Sequence, residues 1–280
     1  MSYDKQVDRD NPSCIIILLD QSDSMRDPLA GDAGRSKKEA VADILNGLLY
    51  ELVLRCVKSP QEGPRSYFAV AVVGYCTSGP NRPLVQSAFS SPLDAADVAW
   101  IPDIAANPLR VESRPSPNGS GEIKTPIWIQ PRSIGGTPMC GAIDRAGRIA
   151  AGWLQQYPDS FPPIVMNLTD GEANDGDPLP WAERLRGLSS RDGNVLLFNL
   201  HLSTLAAEPL LFPSSGANLP DEYARTLHEM SSELPEFMLE AARAQGSRVE
   251  AGARGFGFNA DMRSVMTFLN VGTSVGKVLR

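Results

Sequence analysis

Cys14-Ile15-Ile16-Ile17-Leu18-Leu19-Asp20-Gln21-Ser22-Asp23-Ser24-Met25-Arg26 sets six apolar residues in a row against a tail of oxygen-bearing side chains. An unbroken apolar run bounded by polar residues reads as a strand buried on both faces, the pattern of a largely parallel sheet. Past its end, Asp20, Ser22 and Ser24 stand at alternate positions. In a loop leaving a strand, that spacing aims three oxygens at one point. Hard oxygen ligands converging in this way suit a divalent cation such as Mg²⁺ or Mn²⁺.

Working outward, residues 25–34 read as a polar, glycine-bearing loop. Ser36 opens a long helical pattern, with Ala40, Ile44, Leu48, Leu52 and Val53 on one face, running to about Cys56. Pro60 and Pro64 break it, and residues 66–76 form a second buried strand rich in aromatic and β-branched side chains. Strand, helix and strand at this length make a right-handed crossover unit, so a parallel sheet begins here. Gly79-Pro80-Asn81 then turns the chain into Pro83–Ser87, which the pattern predicts as an edge strand antiparallel to the second. A weak helical segment spans residues 90–100. Two extended segments, 109–113 and 122–129, flank a tip rich in Pro, Gly, Ser and Asn and predict a protruding hairpin within residues 107–133, either a plain surface loop or a partner-specific arm, with Trp128 near its base either a contact residue or a buried one.

Gly135-Gly136-Thr137-Pro138 then starts a helix, with Thr137 placed to cap and Pro138 suited to the first turn. Ala142, Ile143, Ala146, Ile149, Ala150 and Leu154 give that helix its buried stripe. Residues 164–170 read as a strand ending in Asp170, 181–188 as a short helix, 194–201 as a strand and 209–213 as the last strand. Residues 221–245 are helical with a break at Leu234-Pro235. The segment 253–259 is a short strand or loop, and 261–269 a final helix capped by Asp261 that packs Val265, Met266 and Leu269. Asp20 and Asp170 therefore both leave the carboxyl ends of parallel strands, where open α/β sheets bind their ligands.

Asp20-x-Ser22-x-Ser24 after an apolar strand, Gly135-Gly136-Thr137-Pro138 farther on and Leu168-Thr169-Asp170-Gly171 later still resemble, in order and spacing, the metal-ion-dependent adhesion site of von Willebrand factor A (vWA) domains. The resemblance spans residues 14–270. It implies an α/β fold of Rossmann-like vWA type, with a mostly parallel central sheet, one antiparallel edge strand and helices on both faces. It implies Ser22, Ser24 and Thr137 as direct metal ligands, and Asp20 and Asp170 as ligands acting largely through water. One coordination position would then remain for an Asp or Glu of a protein partner. The residue between the serines, commonly Gly in the family, is Asp23, which adds negative charge beside the site. Among family members, the chain is similar to the intracellular bacterial types, TerY-like or MoxR-associated, which implies a subunit of a stress or defence complex. The domain division expected is a polar segment 1–12, a vWA domain 13–270 containing the 107–133 hairpin, and a tail 271–280.

Composition narrows the partners. The chain has 280 residues, with 33 acidic against 26 basic side chains and a net charge of −7. Such a surface gives nucleic acid or an anionic membrane no electrostatic footing. The start carries charges of both signs without an apolar signal core, and no apolar run approaches the ~18 residues of a bilayer span, so a soluble cytoplasmic protein is expected. Cys14, Cys56, Cys76 and Cys140 are scattered without CxxC spacing, which fits reduced packing residues better than zinc.

An enzyme is not expected. A haloacid-dehalogenase-like phosphatase also places Asp at the end of its first strand, but needs a second Asp two residues on, where Ser22 stands. His201 and His228, the chain's two histidines, read as structural, which leaves no hydrolytic triad. Gly255-x-Gly257-x-x-Ala260 lies too near the end for a dinucleotide fold, and Gly272 to Lys277 has the wrong spacing for a phosphate loop. A vWA fold without metal, with Asp20 and Asp170 as structural carboxylates, is the alternative to metal-dependent capture.

Overall fold

The computed structural model describes residues 3–29, 32–59, 61–79, 82–115, 121–202, 209–260 and 262–273. In chain order the strands are β1 (Ser13–Asp20), β2 (Pro28–Leu29), β3 (Asp32–Ser36), β4 (Phe68–Thr77), β5 (Pro83–Ser87), β6 (Ala99–Trp100), β7 (Arg110–Pro115), β8 (Glu122–Ile127), β9 (Ile164–Thr169), β10 (Leu196–His201), β11 (Leu210–Leu211) and β12 (Phe256–Phe258). The helices are α1 (Lys37–Arg55), α2 (Ile101–Ala106), α3 (Met139–Gln156), α4 (Leu179–Arg186), α5 (Glu222–Met230), α6 (Glu236–Ala244) and α7 (Met262–Gly272).

The fold is a doubly wound α/β sandwich of Rossmann-like layout. Its sheet runs β11-β12-β10-β9-β1-β4-β5, with β6 also on β4. β1 lies at its middle, parallel to β4 on one side and β9 on the other. Every residue of β1 is buried, as its unbroken apolar run requires. Its alternation divides the core. Ile15, Ile17 and Leu19 join a layer with α1, α2, α6 and α7, while Cys14, Ile16 and Leu18 face α3, α4 and α5. The expected antiparallel edge strand is β5. Two-residue strands β6 and β11 run antiparallel as well.

A row of polar side chains crosses the interior of this sheet. The Tyr75 hydroxyl on β4 donates to Asn167 Oδ1 on β9 at 2.8 Å. Asn167 Nδ2 donates to Asn199 Oδ1 on β10 at 3.1 Å. Asn199 Nδ2 then reaches Ser231 Oγ, just past α5, at 3.0 Å. All four residues are fully buried, and each spends its polar atoms on a neighbour.

Several expectations are corrected. The loop expected over 25–34 contains a 3₁₀ turn at Asp23–Arg26 and the paired strands β2 and β3. The weak helical segment expected over 90–100 is only a 3₁₀ turn at Leu93–Ala95, and the α-helix, α2, starts one residue after that segment with proline in its first turn. The strand expected to be last, β11, is followed by β12, which inserts between β11 and β10. Gly255, just before it, and Gly257, within it, serve packing: a Cβ on Gly255 would meet the Phe198 ring at 2.1 Å. On α7, Val265 and Leu269 are buried while Met266 is 47% exposed. Trp128 is an internal residue, 3% exposed and donating Nε1–H to Ile104 O, so it is no surface contact. The expected hairpin is β7–β8. Residues 116–120 of its tip, Pro80 and Asn81 of the turn, the Asp261 cap and residues 274–280 of the tail lie outside the described residues.

Candidate metal centre

Asp20, the last residue of β1, and Asp170, one residue beyond β9, leave adjacent parallel strands at the carboxyl end of the sheet. Asp20 is 1% exposed. Its Oδ1 accepts the Ser22 backbone N–H at 2.8 Å and its Oδ2 the Thr169 hydroxyl at 2.6 Å. Thr169 Oγ1 in turn accepts the Gly171 N–H at 3.2 Å, so the carboxylate is held from both strands. Burial pushes the Asp20 carboxyl up from its ordinary 3.8 to about 6, against the Thr169 hydrogen bond, and the nearby Asp170 charge adds to the rise. A carboxyl whose folded value stands above its unfolded one stabilises the fold in its protonated form. That contribution is complete below about pH 4 and lost as pH rises through about 6. At neutral pH Asp20 is therefore a strained anion on which a cation gains an advantage.

The hydroxyls form a directed chain. Ser24 donates to Asp170 Oδ1 at 2.7 Å. Ser22 Oγ lies 3.0 Å from Ser24 Oγ. Ser24 has one proton and spends it on Asp170, so Ser22 must donate to Ser24. Thr137 reaches the same spot. A Cβ built on Gly171 would sit 3.4 Å from Thr137 Oγ1 and 4.0 Å from Ser24 Oγ, so glycine there keeps open a space that both hydroxyls border.

Backbone contacts explain how residues more than a hundred positions apart meet. Asp23 N–H donates to Gly135 O at 2.8 Å and Ile134 N–H to Gln21 O at 2.7 Å, stitching the segment before Thr137 onto the loop after β1. Gly135 has φ +65°, and a Cβ on it would lie 2.3 Å from Thr77 O at the end of β4, so only glycine passes. Gly136 N–H bonds Thr77 Oγ1 at 2.7 Å.

Thr137 does not cap α3. The helix begins at Met139 with Pro138 as its N-cap, and Asp175 supplies the cap from the loop after β9, taking Cys140 N–H at 3.0 Å and Gly141 N–H at 2.9 Å. This frees the Thr137 hydroxyl for the site. Asp23 turns outward and pairs with Arg26 at 3.0 Å, which offsets part of its charge.

Lys37, which the motif spacing does not reveal, is part of the same cluster. The first residue of α1, it sets Nζ 2.7 Å from Asp170 Oδ2 with its side chain 4% exposed and that of Asp170 fully buried. The signal was present: Lys37 falls in phase with Ala40, Ile44 and Leu48, and a lysine on an apolar stripe calls for an internal anion. The histidines are packing residues. His201 stacks on Phe258, and His228 contacts Pro213 O through a ring nitrogen at 3.2 Å.

Among the described residues no three His, Cys, Asp or Glu side chains gather as a metal cluster. The donor set here is of another kind, three hydroxyls with two carboxylates, and its all-oxygen chemistry fits a hard cation such as Mg²⁺ rather than zinc. Beside Gly171 opens a cleft of about 370 Å³ walled by Glu172, Asp177, Glu222 and Tyr223.

Fold and site thus define a doubly wound α/β protein with an oxygen-donor pocket at the carboxyl end of its sheet. No protein-family profile matches the chain, and no curated protein matches it significantly. Among solved structures it is similar to the human COPII-coat protein Sec24c, with a TM-score of 0.37 at 12% identity over 93% of this chain and 32% of that one. The chain spans about a third of that protein, and a likeness so low carries no functional argument.

Proposed function

We propose that this chain is a metal-dependent protein-interaction module of the vWA type that captures an acidic side chain of a partner. The observation that carries the reading is the gathering of Ser22, Ser24, Thr137 and Asp170 around one space at the carboxyl end of the sheet, with Asp20 held beside them through Ser22 N–H and Thr169. In this reading the three hydroxyls are the direct ligands and the two carboxylates act from farther out. A bound Mg²⁺ or Mn²⁺ supplies the Lewis-acidic point that a partner's Asp or Glu coordinates. The acidic wall of the neighbouring cleft favours basic groups around that carboxylate.

Capture is preferred to turnover because Ser22 stands where a dehalogenase-like phosphatase needs its second Asp, and Asp23 faces solvent on Arg26. The intracellular bacterial setting belongs to the same proposal. It agrees with four buried, unpaired cysteines and with the finding that no helix among the described residues is long and apolar enough to cross a membrane. A second reading, a metal-free structural subunit, draws on the Lys37 ammonium already seated on Asp170.

Calorimetric titration with Mg²⁺ and Mn²⁺ separates the two. The wild type should bind one equivalent saturably. Asp20→Ala should lose binding while its circular dichroism spectrum is retained, since the change removes a strained buried anion. Unchanged affinity in Asp20→Ala overturns the ligand assignment, and loss of its fold makes Asp20 a structural cap. A partner complex that keeps full affinity in EDTA overturns metal-dependent capture.

A further inference from the structure

Lys37 sits where a lysine is costly. The amino end of a helix carries partial positive charge, so an ammonium in the first turn of α1 is disfavoured by the helix itself. Burying it adds a desolvation cost. It is nevertheless pinned. Lys37 N–H donates to Asp27 O at 2.9 Å, and the preceding Ser36 is locked by Glu39 Oε2, which takes its N–H at 3.0 Å and its hydroxyl at 2.6 Å. The ammonium meets Asp170 Oδ2 at 2.7 Å and lies 4.0 Å from the solvent-exposed Asp27 carboxylate. Asp170 Oδ1 is left to Ser24. One carboxylate is thus shared between a fixed cation and the hydroxyl chain of the candidate metal site.

Formal charges give this arrangement a meaning. Asp20 and Asp170 alone would neutralise a divalent cation, so a loaded site would offer an incoming carboxylate no net attraction. With Lys37 counted, the empty site carries −1, the loaded site +1, and the site completed by a partner's carboxylate 0. We infer that Lys37 is a positioning residue that trades metal affinity for partner affinity: its fixed charge weakens the hold on the divalent cation and keeps the loaded site cationic, so that an anionic partner binds the loaded site more tightly than it would without the lysine. The inference rests on the vWA-type reading above and adds to it the residue that divides affinity between the two ligands, whose mutual coupling comes from the metal's own charge.

The test uses Mn²⁺ as metal and acetate as the carboxylate probe, at fixed ionic strength, on wild type, Lys37→Met and Lys37→Arg. For wild type, acetate should tighten Mn²⁺ binding. In Lys37→Met, Mn²⁺ alone should bind about tenfold tighter or more, since a unit charge a few ångströms away is removed, and acetate should bind the Mn²⁺-loaded site about tenfold more weakly, so that a given acetate concentration tightens Mn²⁺ binding less. Lys37→Arg, which keeps the charge, should restore the wild-type pattern. A merely structural lysine would lower both quantities together; the opposite signs are the signature. Should Lys37→Met be too unstable for titration, its Mn²⁺-induced rise in melting temperature is compared with that of wild type, and a rise no larger overturns the inference. Wild-type binding of Mn²⁺ with no gain in Lys37→Met overturns the inference alone. Absence of Mn²⁺ binding in all three proteins overturns the metal reading and the inference with it.

Discussion

At the carboxyl end of the sheet, Asp20, Thr169, Asp170 and Lys37 are buried and bonded to one another, whereas on the β7–β8 hairpin the polar side chains pair at the surface. There Arg114 bridges Glu112 at 2.9 Å and Asp43 of α1 at 2.8 Å, and Arg110 meets Glu112 at 2.7 Å. The same chemistry has different consequences in the two places. In the buried cluster each partner is needed because water cannot replace it, and breaking such a pair strands a charge at a cost of about 3–5 kcal/mol. On the hairpin, water stands ready, and an exposed pair contributes about 0.2–1 kcal/mol. The hairpin also exposes Val111 at 54% and Ile123 at 44%, so its surface is free to vary with little effect on the fold. The centre is built to hold one geometry; the arm tolerates many.

Three substitutions bear on that contrast, in falling order of effect. Gly135→Ala forces a side chain into a left-handed backbone against Thr77 O, and should cost about 2–4 kcal/mol in urea unfolding, with weaker Mg²⁺ binding as Thr137 is displaced. A loss below about 1 kcal/mol would mean that the segment yields easily and that the site is less rigid than its contacts imply. Arg114→Ala removes the tether to α1 and should cost at most about 1 kcal/mol; a larger loss would make the hairpin part of the core. Replacing residues 116–120 by a short Gly-Ser turn should leave both stability and Mg²⁺ affinity unchanged while weakening binding to a subset of partners. A shift in Mg²⁺ affinity would join the two regions that the comparison separates.

The strands β1, β4, β9 and β10 were legible because each is an apolar run long enough to exclude an exposed face. The five candidate residues were legible because their residue types and order are unusual together; the structure sets Ser22, Ser24, Thr137 and Asp170 around one space, with Asp20 bonded to Ser22 N–H and Thr169 beside it. Other features depend on contacts that no local pattern encodes. Whether Thr137 or Asp175 caps α3 is decided by the docking of the loop after β9, which sets Asn174 N–H on Thr137 O at 3.0 Å. The insertion of β12 between β10 and β11 follows from packing of Gly255 and Gly257 against Phe198 and Leu200, not from the short strand's own propensity. Met266 is apolar yet exposed because α7 presents Val265 and Leu269 instead. Lys37 was within reach of the sequence, since its phase on α1 was readable, but its partner was not.

The buried row from Tyr75 through Asn167 and Asn199 to Ser231 bears on how the chain finds its strand alignment. β9 and β10 are buried throughout on both sides, so apolar pattern alone barely distinguishes one alignment from another displaced by two residues, which returns every side chain to its original face. The amides do distinguish them. Asn167 stands opposite Asn199, and a two-residue displacement in either direction breaks that pair and sets one of the two amides against a hydrocarbon neighbour, Val165 or Leu197, stranding buried polar groups at about 1–3 kcal/mol apiece. Asn167 is two positions before Thr169 on β9 and also takes the Tyr75 hydroxyl from β4, across β1, so the placement of β9 that satisfies Asn167 on that side also brings Thr169 to Asp20. Misaligned chains are thereby discriminated against before any ligand is met, and a protein that folds at all delivers its two carboxylates to the same place.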